Sequence, residues 1–299
     1  MGMIIDKINI KGVAVCVLRE DLNHHVVQGN KLRKLKYHLI EARHQSTKSI
    51  ITFGGAYSNH LVATAYAARE TGFKSVGVVR GEELENRPDL WSHTLHDAAK
   101  YGMDFLFVSR SDFRLKADAE KVKKLLSKIQ NPYLIAEGGS GELAVKGVAE
   151  LVDELVDENI SPSHILCPVG TGGTLAGIIL GVAKHKLPSQ VIGTVVLKGL
   201  HSVKSDIIQL LGEADEKTDW CLLSNYHFGG YAKFTPELVK FSIEFEQKHR
   251  IKLDKIYNSK SFFALNDMIQ KGEITAQDRP LIIHTGGLQG GTYGSEHLS

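Results

Sequence analysis

The stretch ILCPVGTGGTLAGIILGVAK, residues 165–184, joins a short apolar run to a longer one through a loop of glycines and hydroxyl residues. ILCPV (165–169) has the length and β-branched character of a strand buried on both faces, and Leu175–Lys184 reads as the helix that follows it. Between them Gly170, Thr171, Gly172, Gly173 and Thr174 supply backbone amides free of side-chain obstruction, two hydroxyls and the positive end of a helix. That combination suits a phosphate. The loop is not a Walker loop, because no Gly-Lys-Ser/Thr follows. Leu175 stands where the dinucleotide fingerprint G-x-G-x-x-G needs its third glycine, so a single isolated phosphate is the better fit.

The same strand-then-helix unit recurs on either side. IITF (50–53) precedes a helical segment over 58–70, and VGVV (76–79) and FLFV (105–108) are separated by charged, periodic stretches. YLIAE (133–137) precedes GELAVKGVAELVDELVDEN; VIGTVVL (191–197) and LIIH (281–284) are further buried strands, with helices near 202–211, 236–249 and 259–270. Continuous apolar strands separated by helices predict open, mostly parallel sheets covered on both faces, the α/β architecture. At roughly 150 residues per domain, 299 residues suggest two domains. No Pro/Ser-rich linker separates them, so more than one crossing of the chain is expected between them.

In such sheets ligands bind at the carboxyl ends of strands. Glycine doublets stand there: Gly54-Gly55 after IITF, Gly138-Gly139 after YLIAE, Gly172-Gly173 after ILCPV and Gly286-Gly287 after LIIH. Tight turns explain any one doublet equally well; four together favour an anion-lined cleft. A second helix-end site is Gly54-Gly55-Ala56-Tyr57-Ser58-Asn59-His60, where Ser58 or Asn59 can cap the next helix. Two such sites on one sheet face would suit a cofactor phosphate at one end and a substrate carboxylate at the other. That directs attention to a lysine able to form an imine.

Composition removes several other classes. With 36 Lys+Arg against 34 Asp+Glu the formal charge is +2 and no basic cluster with interleaved aromatics occurs, so phosphate-driven nucleic-acid binding has no support. GIILGVA (177–183), among the longest apolar runs, falls short of the ~20 residues of a membrane span. Cys16, Cys167 and Cys221 are odd in number and far apart, which argues against a disulfide framework or a Cys-rich zinc site. Asp6 and Lys7 interrupt any signal-peptide core, so a reducing, cytoplasmic location is expected. His24-His25 lacks a third ligand at metal-binding spacing, and no metal is expected.

Several segments together carry a resemblance. Leu18-Arg19-Glu20-Asp21, Gln28-Gly29-Asn30-Lys31-Leu32-Arg33-Lys34-Leu35, Phe53 to His60, Gly170 to Thr174, Leu253-Asp254-Lys255-Ile256-Tyr257-Asn258-Ser259-Lys260 and His284-Thr285-Gly286-Gly287 resemble, in order and spacing, the 1-aminocyclopropane-1-carboxylate deaminase and D-cysteine desulfhydrase family. The resemblance spans nearly the whole chain. It implies a pyridoxal 5'-phosphate (PLP) enzyme of fold type II, the tryptophan-synthase-β-like fold: two open, mostly parallel twisted sheets with helices on both faces. The cofactor would lie in the cleft between a large domain (1–34 and 141–299) and a smaller one (35–140). A homodimer acting on a small amino acid is implied as well.

Carried over residue by residue, the resemblance makes Lys31 the Schiff-base lysine. An amine whose pKa is lowered by partial burial suits both imine formation and proton transfer. Asn59 would hydrogen-bond the ring hydroxyl, Ser58 and the amides around Asn59 and His60 would hold the substrate carboxylate, and Gly170, Thr171, Gly172, Gly173 and Thr174 would cup the phosphate. Tyr257 matches the family tyrosine that approaches the reacting carbon. Asn258 departs from the deaminase pattern, which places a Glu beside the pyridine nitrogen. A neutral amide there can donate to an unprotonated ring or accept from a protonated one, and it leaves a weaker electron sink than a carboxylate does. Thr285 also follows the desulfhydrase pattern, since the deaminases carry an apolar residue there. The expectation is therefore β-elimination from D-cysteine or a relative, giving pyruvate, ammonia and sulfide. Cyclopropane deamination to 2-oxobutyrate is the alternative, and a nucleotide-binding protein or an idle small-molecule binder is the alternative from another class. Gln28 replaces a glycine common before Gly-Asn-Lys, and Tyr231 is the candidate for a second family tyrosine.

Overall fold

The computed structural model describes residues 2–199, 202–212 and 218–294. The chain divides into two compact units: Met1–Asn30 with Val145–Ser299, and Lys31–Ala144. It opens in the first unit with an antiparallel hairpin of β1 (Ile5–Ile10) and β2 (Val13–Arg19), in register from Ile5 opposite Leu18 to Ile10 opposite Val13. The turn needs two positive-φ residues, Lys11 at 50° and Gly12 at 90°, and Asn9 closes it by accepting from the Gly12 amide at 3.0 Å.

The second unit runs α1 (Lys31–His44), β3 (Ser49–Gly55), α2 (Asn59–Thr71), β4 (Lys74–Arg80), α3 (His93–Lys100), β5 (Met103–Val108), α4 (Arg110–Leu115), α5 (Glu120–Leu126) and β6 (Tyr133–Ile135). Its four strands are parallel, in the order β5-β4-β3-β6. Successive residues of a strand point to opposite faces, and each face here has its own core. Ile51, Phe53, Val76 and Val78 pack with Phe113 and Val122 on one side; Val79, Met103 and Phe107 pack with Leu61, Ala65 and Leu95 on the other. This is why VGVV reads as an unbroken apolar run.

Helix α6 (Glu142–Asp157) carries the chain back to the first unit. There follow β7 (His164–Val169), α7 (Gly173–His185), β8 (Gln190–Val195), α8 (Val203–Leu211), β9 (Trp220–Leu223), α9 (Pro236–His249), α10 (Asn258–Gln270) and β10 (Pro280–His284). The six strands lie in the order β1-β2-β10-β7-β8-β9, parallel apart from the β1–β2 hairpin. Alternation again divides the strands: Ile165, Cys167, Val191, Leu281 and Ile283 enter one core, and Leu166, Ile192 and Ile282 enter the other. Gly177 and Gly181 form the face of α7 that meets α6. A Cβ on either would come within 2.5 or 2.6 Å of the Cβ of Val148 or Val152.

Both sheets are open and mostly parallel, as the alternating pattern predicts. One expectation changes. The two helix-end loops thought to share a sheet face belong to different sheets, with 54–60 following β3 of the four-stranded sheet and 170–174 following β7 of the six-stranded one. The apolar runs show which segments are strands but carry no signal for which strands share a sheet.

Candidate active site

In the second unit, Lys31 is the first residue of α1, and burial pushes its ammonium down to about 8. Lys34, one turn on, is buried and donates to the carbonyl of Gly138 at 3.3 Å. Ser58 occupies the N-cap position of α2, yet its side chain makes no capping hydrogen bond. The preceding turn accepts from the amide of Ser58, and Ser58 accepts from Leu61; the amides of Asn59 and His60, between them, have no such backbone partner among the described residues. Hydroxyl and amides are thus grouped at a helix N-terminus with hydrogen-bonding capacity in hand. Beside them the side-chain oxygen of Asn59 is buried without a hydrogen-bond partner.

His60 turns its ring inward. The Thr52 hydroxyl donates to the carbonyl of Ile135 at 2.9 Å, so it accepts from Nε2 of His60 at 2.8 Å, which places the ring proton on Nε2. Burial first, then the charges of Lys31, Lys34 and His38, hold this histidine well below its ordinary pKa. The ring stays neutral, and what His60 can offer an anion is its backbone amide.

In the first unit, Gly172 caps α7 in the left-handed region at φ 83°, and a Cβ there would meet Ile207 at 2.6 Å. The N-terminus of α7 is thus led by two glycines, Gly172 and Gly173, whose amides carry no side chain of their own to screen them. Thr174 accepts from Nδ2 of Asn30 at 2.7 Å and keeps its own hydroxyl proton to donate. The next residue in the chain after Asn30 is Lys31. Gly29 is required as well: its φ is 78° and a Cβ would fall 1.8 Å from the carbonyl oxygen of Thr285. Neither the Asn30–Thr174 bond nor the Gly29 contact is visible in the sequence, where the partners are far apart; the Gly-Asn-Lys run was the only hint.

Tyr257, the N-cap of α10, lies against Gly170, where a Cβ would be 3.3 Å from its ring. Asn258 is fully buried and all its side-chain capacity is committed. Nδ2 donates to Asp254 Oδ1 and to the Gly286 carbonyl, both at 2.6 Å, while Oδ1 accepts from the Thr285 amide at 3.0 Å and its hydroxyl at 3.4 Å. Two pure acceptors on one side and a backbone N–H on the other fix the amide orientation. Both amide protons of Asn258 are therefore in use, and Thr285 beside it is half-buried. Asp254 was not singled out from sequence. Its carboxylate also accepts from the amides of Ile256, Tyr257 and Asn258 at 2.8–2.9 Å, which caps α10. His24 and His284 serve structure: His24 Nδ1 accepts from Val26 and Val27, and His284 Nε2 donates to the Lys252 carbonyl. Tyr231 is exposed.

The family pattern of pyridoxal-phosphate dependent enzymes matches residues 6–286. The chain belongs to that family. Within it the chain groups with the 1-aminocyclopropane-1-carboxylate deaminases and D-cysteine desulfhydrases. It is 31% identical to a provisionally named 1-aminocyclopropane-1-carboxylate deaminase of Pyrococcus abyssi, covering 96% of this chain and 88% of that one. A D-cysteine desulfhydrase of Klebsiella pneumoniae is 26% identical over 92% and 87% of the two chains. A solved structure described as an ACC deaminase homologue superposes with a TM-score of 0.85 at 29% identity, covering all of this chain and 93% of that one. The protein is thus a PLP-dependent enzyme, and the donor set fits the cofactor. An amine of lowered pKa is present for an aldehyde, a side-chain-free helix end for a phosphate, and a buried amide oxygen at Asn59 for a polar group from outside the chain. Among the described residues no helix is long and apolar enough to cross a membrane.

Proposed function

We propose that the protein catalyses β-elimination from a small amino acid, D-cysteine or a close relative, releasing pyruvate, ammonia and sulfide. The observation that carries this reading is the arrangement around Asn258. The position where the deaminases place a carboxylate holds a committed amide, and on this reading the adjacent hydroxyl of Thr285 would face the ring nitrogen. When bound, the cofactor supplies an electron sink for charge at the substrate α-carbon, and a neutral partner leaves that sink weaker than a carboxylate would. Elimination needs the sink only briefly, because the C–S bond breaks as the charge develops.

The residues divide the work as follows. Nζ of Lys31 would hold the cofactor at its aldehyde and would accept the α-proton of the substrate. Gly170 to Thr174 would hold the phosphate by backbone amides and the Thr174 hydroxyl, which Asn30 orients. Asn59 would meet the ring hydroxyl. Ser58 and the amides of Asn59 and His60 hold the substrate carboxylate at the α2 terminus. Tyr257, whose ring packs on Gly170, would pass a proton near the reacting carbon. The electron pair of the broken C–S bond leaves on sulfur, which takes up a proton. The enamine set free exchanges its nitrogen for the oxygen of water, giving pyruvate and ammonia.

Cyclopropane deamination is the second reading, favoured by the name of the 31%-identical Pyrococcus relative. One panel separates the two: pyruvate from D-cysteine, L-cysteine and D-serine, against 2-oxobutyrate from 1-aminocyclopropane-1-carboxylate. Pyruvate from D-cysteine is expected to dominate. Release of 2-oxobutyrate alone overturns the reading of Asn258 and Thr285, while a purified protein that takes up no PLP overturns the placement at Lys31.

A further inference from the structure

Lys260, in the first turn of α10, has no part in the chemistry described above, yet it is fully buried. Its Nζ donates to three backbone carbonyls: Gly230 at 2.7 Å, His227 at 2.9 Å and Val196 at 3.2 Å. An ammonium has three donors, so the set is complete. Among the described residues no carboxylate forms an ion pair with it; the charge of Asp254 acts on it from further away. A buried charge normally demands an opposite charge. Here the compensation comes from carbonyl dipoles of separate chain segments, the end of β8 and the turn 227–230. Carbonyl rings of this kind replace the hydration shell of a potassium ion.

We propose that the Lys260 ammonium is a tethered monovalent cation, occupying a carbonyl cage that takes potassium or ammonium when the tether is removed. Burial lowers this amine to about 8, so it remains charged at neutral pH, as the cage requires. The cation clamps the turn 227–230 to the helix turn that carries Asn258, two residues before Lys260. The proposal is independent of which amino acid the enzyme consumes.

The test is chemical rescue of the holoenzyme, read as the unfolding midpoint in potassium, ammonium, lithium or tetramethylammonium chloride at equal ionic strength. Wild type is expected to respond alike to all four. Lys260→Ala vacates the cage: in lithium or tetramethylammonium its midpoint falls by about 5–10 °C, the size expected for orphaned buried carbonyls. Potassium or ammonium restores at least half of that loss, with saturation. Lys260→Met fills the space with a methyl group, so it is destabilised and no salt rescues it. Equal midpoints for Lys260→Ala in all four salts overturn the proposal, and so does a Lys260→Met protein as stable as wild type. If Lys260→Ala is recovered folded only from buffers containing potassium or ammonium, the cage is supported; failure in every buffer counts against it.

Discussion

Two lysines one helical turn apart, Lys31 and Lys34, are set different tasks by their surroundings. Lys34 donates to the Gly138 carbonyl, whereas Lys31 has its ammonium pushed down to about 8 by burial. Only a neutral amine attacks an aldehyde. In apoprotein the rate of PLP uptake, followed by stopped-flow absorbance, is expected to rise about tenfold per pH unit up to about pH 8 and then level off. A rate still climbing at pH 10 would contradict the buried setting of Lys31, and Lys31→Ala should lose the visible band altogether. Asn258→Ala removes the side-chain donor shared by the Gly286 carbonyl and Asp254 Oδ1, which keeps its backbone donor, at a cost of about 1–3 kcal/mol in urea unfolding. Thr285→Val tests the other half of the pair: a shifted absorption maximum of the bound cofactor is expected, with Thr285→Ser restoring it. At this scale the sequence conveyed which residues are polar and motif-bound. It did not convey that Asn258 is spent on Asp254, because the protons of an amide are assigned by partners such as Gly286, 28 residues away.

Among the elements, strands were legible where both faces are buried. ILCPV, VGVV and LII (281–283) are apolar throughout because alternate residues enter different cores. β1 was not legible: IDKINI is only partly covered, so polar residues interrupt it. β9 is a four-residue edge strand with no fully buried position. The glycines were read chiefly as ligand-facing, and several answer to packing instead. Gly54 makes room for Leu61, and Gly177 and Gly181 let α6 lie against α7. Gly177→Val is therefore expected to lower stability by about 1–3 kcal/mol or more through overpacking, measured as a lower urea midpoint with unchanged slope. A neutral outcome would mean that α6 and α7 can separate at no cost.

For the whole molecule, cofactor binding and folding are linked, because the unfolded chain offers no assembled phosphate loop. PLP at 100 times its dissociation constant contributes about 2.7 kcal/mol, expected to raise the melting midpoint of the apoprotein by about 5 °C or more. The Lys31→Ala protein should gain less. The order of strands in the six-stranded sheet has a separate outcome in time. β10, the last strand among the described residues, is inserted between β2 and β7, so the middle of that sheet is empty until residues 280–284 arrive. The 31–144 unit, by contrast, is one uninterrupted stretch. As the polypeptide leaves the ribosome, the second unit can become protease-resistant while the first still exposes two strand edges, which makes the interval before β10 emerges the period of greatest vulnerability to aggregation.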